Sequence, residues 1–284
     1  MKDQKRVLAI HDLCCVGKCS LTTAIPILSA AGMEACALPT AVFSTHTAFP
    51  TFTFLDLTDE LTRMASAVKE HQFHFDAFYT GYLGTAAQAA IVKDIIALLK
   101  SEDSCVIVDP VMADNGSLYK HLTPDFPQEM LLLSAHADVI TPNVTEAALM
   151  LGKPYMPAPQ TEEYVRSLLT ELHEKTGASV VLTSICLHEG DIGCACLDRE
   201  TGAVTYTFQP KEPTSYHGTG DVFASVLCAA YMQSGKLAKS MEVAATFVRD
   251  AIQTTEEQPS LWYGIRFEDL LSELQPRIKE IISN

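Results

Sequence analysis

The sequence predicts an α/β protein in which helices cover both faces of a mostly parallel central sheet, giving three layers. Two observations lead to this prediction. Short apolar runs alternate with helical segments from one end of the chain to the other. Many of these runs are continuous, which indicates strands that are buried on both faces. Because the chain has 284 residues, of which 48% are hydrophobic, we expect residues 1–284 to form a single domain.

The predicted strands are short apolar runs that stop at polar or turn-forming residues. The first covers 7–10, the second covers 34–38 and ends at Pro39, and the third covers 75–79 and is closed by Gly81. Further strands are predicted at 105–108, 137–140 and 179–182, followed by a hairpin of 192–197 and 204–208.

The predicted helices carry their apolar residues on one side. Gly32 ends the first helix, and Gly177 ends the helix before the strand at 179–182. After the hairpin the chain is mostly helical. The predicted helices are 20–31, 57–71, 85–100, 162–175, 219–233, 238–255 and 267–282.

The composition excludes several classes of partner. A formal net charge of −15 argues against binding to nucleic acid and to anionic membranes, because the electrostatic interaction would be repulsive. The N-terminal apolar run is too short for a signal peptide, and no apolar run approaches the roughly 18 residues of a membrane span. We therefore expect a cytoplasmic protein whose nine cysteines are reduced thiols.

Polar side chains follow many of the predicted strands at the point where each strand ends. Because the carboxyl ends of parallel strands meet at one edge of a sheet, we expect these side chains to form a ligand site. They are His11, Asp12, Tyr79, Thr80, Tyr82, Asp109, Thr141, Asn143, Thr183 and Ser184.

Gly218-Thr219-Gly220-Asp221, directly before an apolar helical pattern, is the most informative motif. The glycines permit a tight turn, and the start of the helix offers free N–H groups for a phosphoryl group. A carboxylate at Asp221 could then take a proton from an attacking hydroxyl. The alternative is a loop in which Asp221 only favours the start of the helix.

Acidic residues near two strand ends are suited to magnesium. Asp109 and Asp114 follow one strand, and Glu146 lies at the start of the next helix. Mg²⁺ prefers oxygen ligands and often keeps several waters. A Walker A interpretation of Val16-Gly17-Lys18-Cys19-Ser20 fails, because the preceding glycine and the following Ser or Thr are missing, and we expect Lys18 to be exposed.

Phe43-Ser44-Thr45-His46-Thr47 is rich in donors and acceptors and has several aromatic neighbours. It is suited to cover a flat heteroaromatic substrate, although a surface loop with buried aromatic residues has the same composition.

Together these motifs resemble the pyridoxal/pyridoxamine (vitamin B6) kinases of the ribokinase superfamily, above all the bacterial pyridoxamine kinases. The resemblance covers nearly the whole chain and implies a ribokinase-like fold. It is carried by segments 43–47, 79–84, 109–112, 141–146 and 218–221. The first two are more particular to B6 kinases, whereas the last two are shared across much of the superfamily.

The resemblance implies a role for each matching residue. Asp221 is the implied base for the 5′-hydroxymethyl group of the substrate, and Gly218, Thr219 and Gly220 form the anion hole. The implied nucleotide site contains Asp109, Thr141, Asn143, Thr183 and Ser184. Asp114 and Glu146 are the implied acidic residues at Mg²⁺, while His46, Thr47 and Tyr82 surround the pyridine ring. The implied cofactors are ATP, Mg²⁺ and a monovalent cation such as K⁺, and the implied assembly is a homodimer.

The chain departs from the family pattern at three places. Asp12 stands where many B6 kinases have Ser, so it is a candidate to contact ring substituents or a cationic amine. Thr45 replaces a common Asn, and the segment 209–216 matches the family's nucleotide flap poorly. Two alternatives remain open, a hydroxymethylpyrimidine kinase and a non-catalytic vitamin or nucleotide sensor, although a sensor has no need of Asp221.

Overall fold

A mixed sheet runs through the centre of the protein, whose computed structural model describes residues 4–256 and 259–283. The strands are β1 (Arg6–Val16), β2 (Glu34–Thr45), β3 (Phe54–Asp56), β4 (Ala77–Thr80), β5 (Cys105–Val108), β6 (Ala113–Asp114), β7 (Ser117–Leu118), β8 (Val139–Ile140), β9 (Ser179–Ile185), β10 (Asp191–Leu197) and β11 (Val204–Pro210). Nine of them form the sheet in the order β11-β10-β9-β8-β5-β4-β1-β2-β3, and β6 and β7 form a separate hairpin.

The centre of the sheet is parallel and its edges are antiparallel. Strands β2, β1, β4, β5, β8 and β9 run in the same direction. At one edge β3 pairs antiparallel with β2, and at the other β10 pairs antiparallel with β9 and β11. The carboxyl ends of the parallel strands therefore meet at one edge of the sheet, as the sequence predicts.

Helices cover both faces of the sheet. They are α1 (Leu21–Ala30), α2 (Thr58–Glu70), α3 (Ala86–Leu99), α4 (Phe126–Ser134), α5 (Val144–Leu151), α6 (Glu162–Thr176), α7 (Thr219–Ser234), α8 (Leu237–Glu256) and α9 (Leu271–Ser283). One buried apolar layer contains α2 to α6, and the other contains α1, α7, α8 and α9. The predicted three-layer α/β fold is confirmed.

The alternation of side chains along β1 explains why both faces are apolar. Val7 and Ala9 lie in the layer of α1 and α7, whereas Leu8 and Ile10 lie in the opposite layer. Successive side chains of a strand point to opposite faces, so a strand covered on both sides needs an unbroken apolar run.

Several elements differ from the sequence predictions. Strand β1 continues beyond residue 10 through a bulge between His11 and Leu13, so Asp12 lies within the strand instead of after it. The helix predicted at 267–282 begins as a 3₁₀ turn, Glu268–Leu270, before α9. The sequence analysis did not predict β3, the β6–β7 hairpin or α4.

The expectations about membrane spans and about the cysteines can be compared with the described residues. Within 4–256 and 259–283, no helix is both long enough and apolar enough to cross a membrane. All nine cysteines are free thiols, and Cys194 and Cys196 share the face of β10 that belongs to the apolar layer of α1, α7, α8 and α9.

Candidate active site

The turn before α7 is built around a glycine that no other residue can replace. Gly218 has a φ of +84°, and a Cβ atom there would lie 1.8 Å from the carbonyl oxygen of Lys18. The helix begins at once, because the N–H of Val222 bonds the Gly218 carbonyl at 2.9 Å. The amides of the first helical turn therefore have no acceptor within the helix and are available to an anion.

Asp221 lies in this first turn, and its surroundings are suited to proton transfer. Burial, and then the negative charge of Asp12, raise the pKa of Asp221 to about 7, while the backbone N–H of Ser20 opposes this increase. A carboxylate with a pKa near neutrality can both hold and release a proton under ordinary conditions. The geometry thus places a titratable carboxyl beside amides that are available to an anion.

A cavity of about 380 Å³ opens beside Asp221. It brings together the whole predicted catalytic, nucleotide and acidic set, although these residues are far apart in the sequence. The predicted residues that line it are Asp109, Asp114, Thr141, Asn143, Glu146, Thr183, Ser184, Gly218, Thr219, Gly220 and Asp221. They come from the ends of β5, β8 and β9, from the β6–β7 hairpin, and from the starts of α5 and α7.

Asp109 is buried at the end of β5, where it accepts a hydrogen bond of 3.0 Å from the Thr141 hydroxyl. Burial, together with the negative charges of Glu146 and Asp221, holds its pKa well above the usual range. Such a carboxyl would be stabilised in its ionised form by a bound cation.

Glu146 and Asn143 form a capping box at the start of α5. The Asn143 side chain accepts from the Glu146 N–H at 2.9 Å, and one Glu146 oxygen accepts from the Asn143 N–H at 2.8 Å. The other Glu146 oxygen accepts from the N–H of Met112 at 3.0 Å. Glu146 therefore ties the strand-end segment that carries Asp109 and Asp114 to α5. Burial raises its pKa to about 8.

The acidic residues fit a magnesium ion that is held partly by a nucleotide. Asp114 is exposed in the β6–β7 hairpin, where its carboxylate accepts from the N–H and side chain of Asn115. Asp109 and Glu146 supply further carboxylate oxygens in the cavity. Within the described part of the chain, no three His, Cys, Asp or Glu residues converge on a metal position. Waters and phosphate oxygens would complete such a shell.

Asp12, on the vitamer side predicted from the resemblance, is buried within the bulge of β1. It accepts a hydrogen bond from the Ser20 hydroxyl, and its second oxygen faces the Cys14 thiol at 3.5 Å. Burial raises its pKa, and these two hydrogen bonds oppose the increase. The negative charge of Asp12 raises the pKa of Asp221, so the two carboxyls interact across the site.

His46 is buried, and both of its ring nitrogens are engaged by the backbone. Nε2 lies 2.7 Å from the Tyr263 carbonyl, and Nδ1 accepts from the Ala48 N–H at 3.2 Å. The ring is therefore a neutral Nε2–H tautomer, and its centroid lies 5.0 Å from that of His217. Thr47, in contrast, is exposed. His46 fixes the position of this loop, whereas the Thr47 hydroxyl is available to a ligand.

Tyr82 is half-buried and its hydroxyl is hydrogen-bonded to Nε2 of His121. His121 follows the β6–β7 hairpin, and its ring also stacks on Tyr119, which lines the cavity. Neither His121 nor Tyr119 was predicted as a site residue. They match no motif, because they lie in the irregular loop between β7 and α4.

Two cationic residues of the cavity were also missed. Lys211 follows β11, and Arg249 on α8 donates a hydrogen bond of 2.5 Å to Gln209 of the predicted flap. A sequence signal exists for Arg249. It lies on the face of α8 that carries Ala245, Val248 and Ile252, and all four residues line the cavity.

The expectation for Lys18 was wrong. Its side chain is only 16% exposed, forms an ion pair with Glu268 and lies 5.6 Å from the centre of the Phe267 ring. The charge therefore anchors the loop before α1 to the C-terminal segment.

Comparisons with known proteins identify the family of the chain. Residues 23–263 match the phosphomethylpyrimidine kinase family. A Bacteroides thetaiotaomicron protein crystallised with pyridoxal is 38% identical, with a TM-score of 0.91 and 96% of each chain covered. Pyridoxal kinase from Lactobacillus plantarum is 32% identical, with a TM-score of 0.89, covering 98% of this chain and 99% of its own.

A curated relative extends the same pattern. Pyridoxal kinase PdxY of Leifsonia xyli subsp. xyli is 26% identical over 263 residues, which cover 89% of this chain and 90% of that protein. The matching residues 23–263 include every predicted site residue except Asp12. The chain belongs to the phosphomethylpyrimidine kinase family and has its ribokinase-like fold.

Proposed function

We propose that this protein is a B6-vitamer kinase that transfers the γ-phosphoryl group of ATP to the 5′-hydroxymethyl group of pyridoxal, pyridoxamine or pyridoxine. The observation that carries the proposal is the position of Asp221 in the first turn of α7, beside free amides and in the wall of the cavity of about 380 Å³. The relatives named pyridoxal kinase support the vitamer as acceptor.

In the proposed reaction, Asp221 accepts the proton of the hydroxymethyl group. The oxygen that loses this proton bonds to the γ-phosphorus, and the bond from that phosphorus to the oxygen bridging to the β-phosphate breaks. The amides at the start of α7 bind the oxygens of the phosphoryl group in transfer. The products are the vitamer 5′-phosphate and ADP, and the proton leaves from Asp221.

Asp109, Asp114 and Glu146 are the residues that would hold magnesium in this proposal. When bound, Mg²⁺ neutralises charge on the nucleotide phosphates. A monovalent cation such as K⁺, a homodimer and a cytoplasmic location remain predictions based on the resemblance and on the composition. Exposed apolar side chains on the edge strand β3 support the homodimer, because Phe54 and Leu55 are 59% and 61% exposed.

The direct test measures ATP consumption by the purified protein with pyridoxal, pyridoxamine, pyridoxine and hydroxymethylpyrimidine in parallel. We expect turnover with at least one B6 vitamer, and the loss of most of that turnover in the matched Asp221→Asn variant. Preference for hydroxymethylpyrimidine would favour the alternative that the family description suggests. Binding of a vitamer without any ATP consumption would favour the sensor.

A further inference from the structure

The loop of residues 17–20, which joins β1 to α1, touches both halves of the site. On one side, a Cβ atom at Gly17 would lie 2.8 Å from Cδ2 of His46. On the other side, the Lys18 carbonyl lies against Gly218 of the anion-binding turn. The loop therefore lies between the predicted vitamer residues and the phosphoryl site.

Ser20, the last residue of this loop, has an unusual backbone. It is 4% exposed, with a φ of 54° and a ψ of −134°, a region that is favourable only for glycine. Its hydroxyl makes no capping hydrogen bond to α1. The start of the helix thus explains neither the strained backbone nor the presence of a side chain.

Both polar groups of Ser20 meet a carboxyl of the site. The hydroxyl donates to Oδ1 of Asp12, and the backbone N–H faces Asp221 and lowers its pKa. The other neighbour of Asp12, the Cys14 thiol, lies at 3.5 Å and is a weak donor. Ser20 is therefore the main hydrogen-bond donor to Asp12.

We propose that Ser20 is a positioning residue that orients Asp12 and Asp221 together, so that the acceptor site presents one carboxylate to a cationic amine and the other to the hydroxymethyl group. This inference rests on the proposed B6-vitamer kinase activity. It assigns the selection of an amine-bearing vitamer to a residue that acts through the two carboxyls.

The charges around the two carboxyls determine the direction in which the loss of the Ser20 hydroxyl should shift their pKa values. The ionisable groups that act on Asp12 or Asp221 carry no positive charge, and they are Cys14, Cys19, Tyr79, Tyr82, Tyr119 and Asp109. Lys211, His217 and Arg249 line the same cavity as Asp221 but are not among the groups that shift its pKa. Without the Ser20 hydroxyl, Asp12 takes up a proton more readily. The amine then loses its counter-charge, and the pKa of Asp221 falls because Asp12 repels it less.

The test compares Ser20→Gly, Ser20→Ala and Thr22→Ala. Ser20→Gly removes the hydroxyl and suits the backbone, so the variant should fold. Thr22→Ala is the matched control, because its hydroxyl bonds only the carbonyls of Gly17 and Cys19 in the same loop. The kcat/KM values for pyridoxamine and pyridoxal are measured between pH 5 and pH 9, together with Tm.

Both Ser20 variants should lower the pyridoxamine-to-pyridoxal ratio of kcat/KM by about two- to tenfold, since one hydrogen bond is lost. They should also shift the acidic limb of the profile to lower pH, while Thr22→Ala changes neither. In an Asp12→Ser background, Ser20→Gly should leave the ratio unchanged.

An active wild-type kinase whose ratio and acidic limb are both unaffected by Ser20→Gly would overturn the inference. A merely structural role for Ser20 predicts this result, with Tm changed alone. If the wild-type protein phosphorylates no B6 vitamer, it is the proposed function that fails, and the substrate panel identifies that case before any variant is made.

Discussion

Asp221 works in surroundings that disfavour its own charge. Burial raises its pKa to about 7, whereas Gly218 and Thr219 beside it are half-buried and Gly220 is exposed, so a ligand can reach the amides of α7. Hydrogen bonds to a developing phosphoryl charge are stronger there than in solvent. At the scale of single residues, the site therefore gives up some stability in exchange for reactivity.

The first prediction concerns Asp221→Asn. The amide is nearly the same size but cannot accept the hydroxyl proton, so kcat should fall by about 10²- to 10⁴-fold. Nucleotide binding should persist, and calorimetry with ADP measures it. A variant that keeps more than about a tenth of the wild-type kcat would contradict the assignment of Asp221 as base.

The second prediction concerns pH. Asp221 must be ionised to accept a proton, so kcat/KM should decrease as the pH falls through about 7. The folded pKa is raised, so the folded state binds this proton more tightly than the unfolded chain, and the ionised residue destabilises the fold at high pH. Asp221→Asn should therefore raise Tm at pH 8, and the difference should shrink towards pH 4. An equal Tm difference at both pH values would contradict the raised pKa.

The third prediction concerns Asp12→Ser. If Asp12 contacts the substituents of the vitamer ring, the change should lower the pyridoxamine-to-pyridoxal ratio of kcat/KM by about three- to thirtyfold, because a charge-assisted hydrogen bond is lost. Both vitamers and Tm are measured on the same variant. A lower Tm with an unchanged ratio would mean that Asp12 only holds Ser20 in place.

At the scale of elements, α5 positions two parts of the site through one side chain. Glu146 bonds the N–H groups of Met112 and Asn143, so the start of α5 and the strand-end loop with Asp109 are held together. The capping box and the metal role assigned from the resemblance thus fall on the same carboxylate.

The fourth prediction concerns Glu146→Gln. The Gln side chain has only one oxygen, so it can accept only one of the N–H groups of Met112 and Asn143. Tm should therefore fall by the several degrees expected for a lost cap. The Mg²⁺ concentration for half-maximal rate should rise, because Asp109 and Asp114 lose their support. Glu162→Gln is the control, since it makes the same change in the first turn of α6. An unchanged Mg²⁺ dependence would make Glu146 a helix-start residue only.

The elements that the sequence predicts well are those in which one local rule decides the structure. Val7, Leu8, Ala9 and Ile10 predict a doubly buried strand because the run is continuous, apolar and too short for a helix. The continuation of β1 through Asp12 depends on pairing with β2, which no local pattern reveals. The contacts of Tyr82 with His121, and the backbone of Ser20, are likewise set by tertiary packing.

At the scale of the whole molecule, the sheet has two different edges. The β11 edge contributes Gln209, which Arg249 of α8 contacts. The β3 edge is short, and two of its three side chains are large, apolar and exposed. Exposed apolar edges of this kind are typical of interfaces between proteins.

The fifth prediction follows from this edge. If the protein is a homodimer that associates through β3, Leu55→Lys should shift the monomer–dimer equilibrium towards the monomer, because the new lysine charge would be buried in the interface. Leu132→Lys is the control, since Leu132 on α4 is 58% exposed and Leu55 is 61% exposed. Light scattering after size-exclusion chromatography measures the mass. A Leu55→Lys variant with the wild-type mass would place any interface elsewhere.

The division of the apolar core between early and late parts of the chain has a consequence for biosynthesis. Strand β1 and helix α1 leave the ribosome long before α7, α8 and α9, which cover the same face of the sheet. Until residues 219–283 have been made, that face remains largely bare, a state in which nascent chains are prone to aggregate. Asp12 is also made long before Asp221. A ribosome-stalled chain that ends before Thr219 should therefore bind chaperones and have no kinase activity.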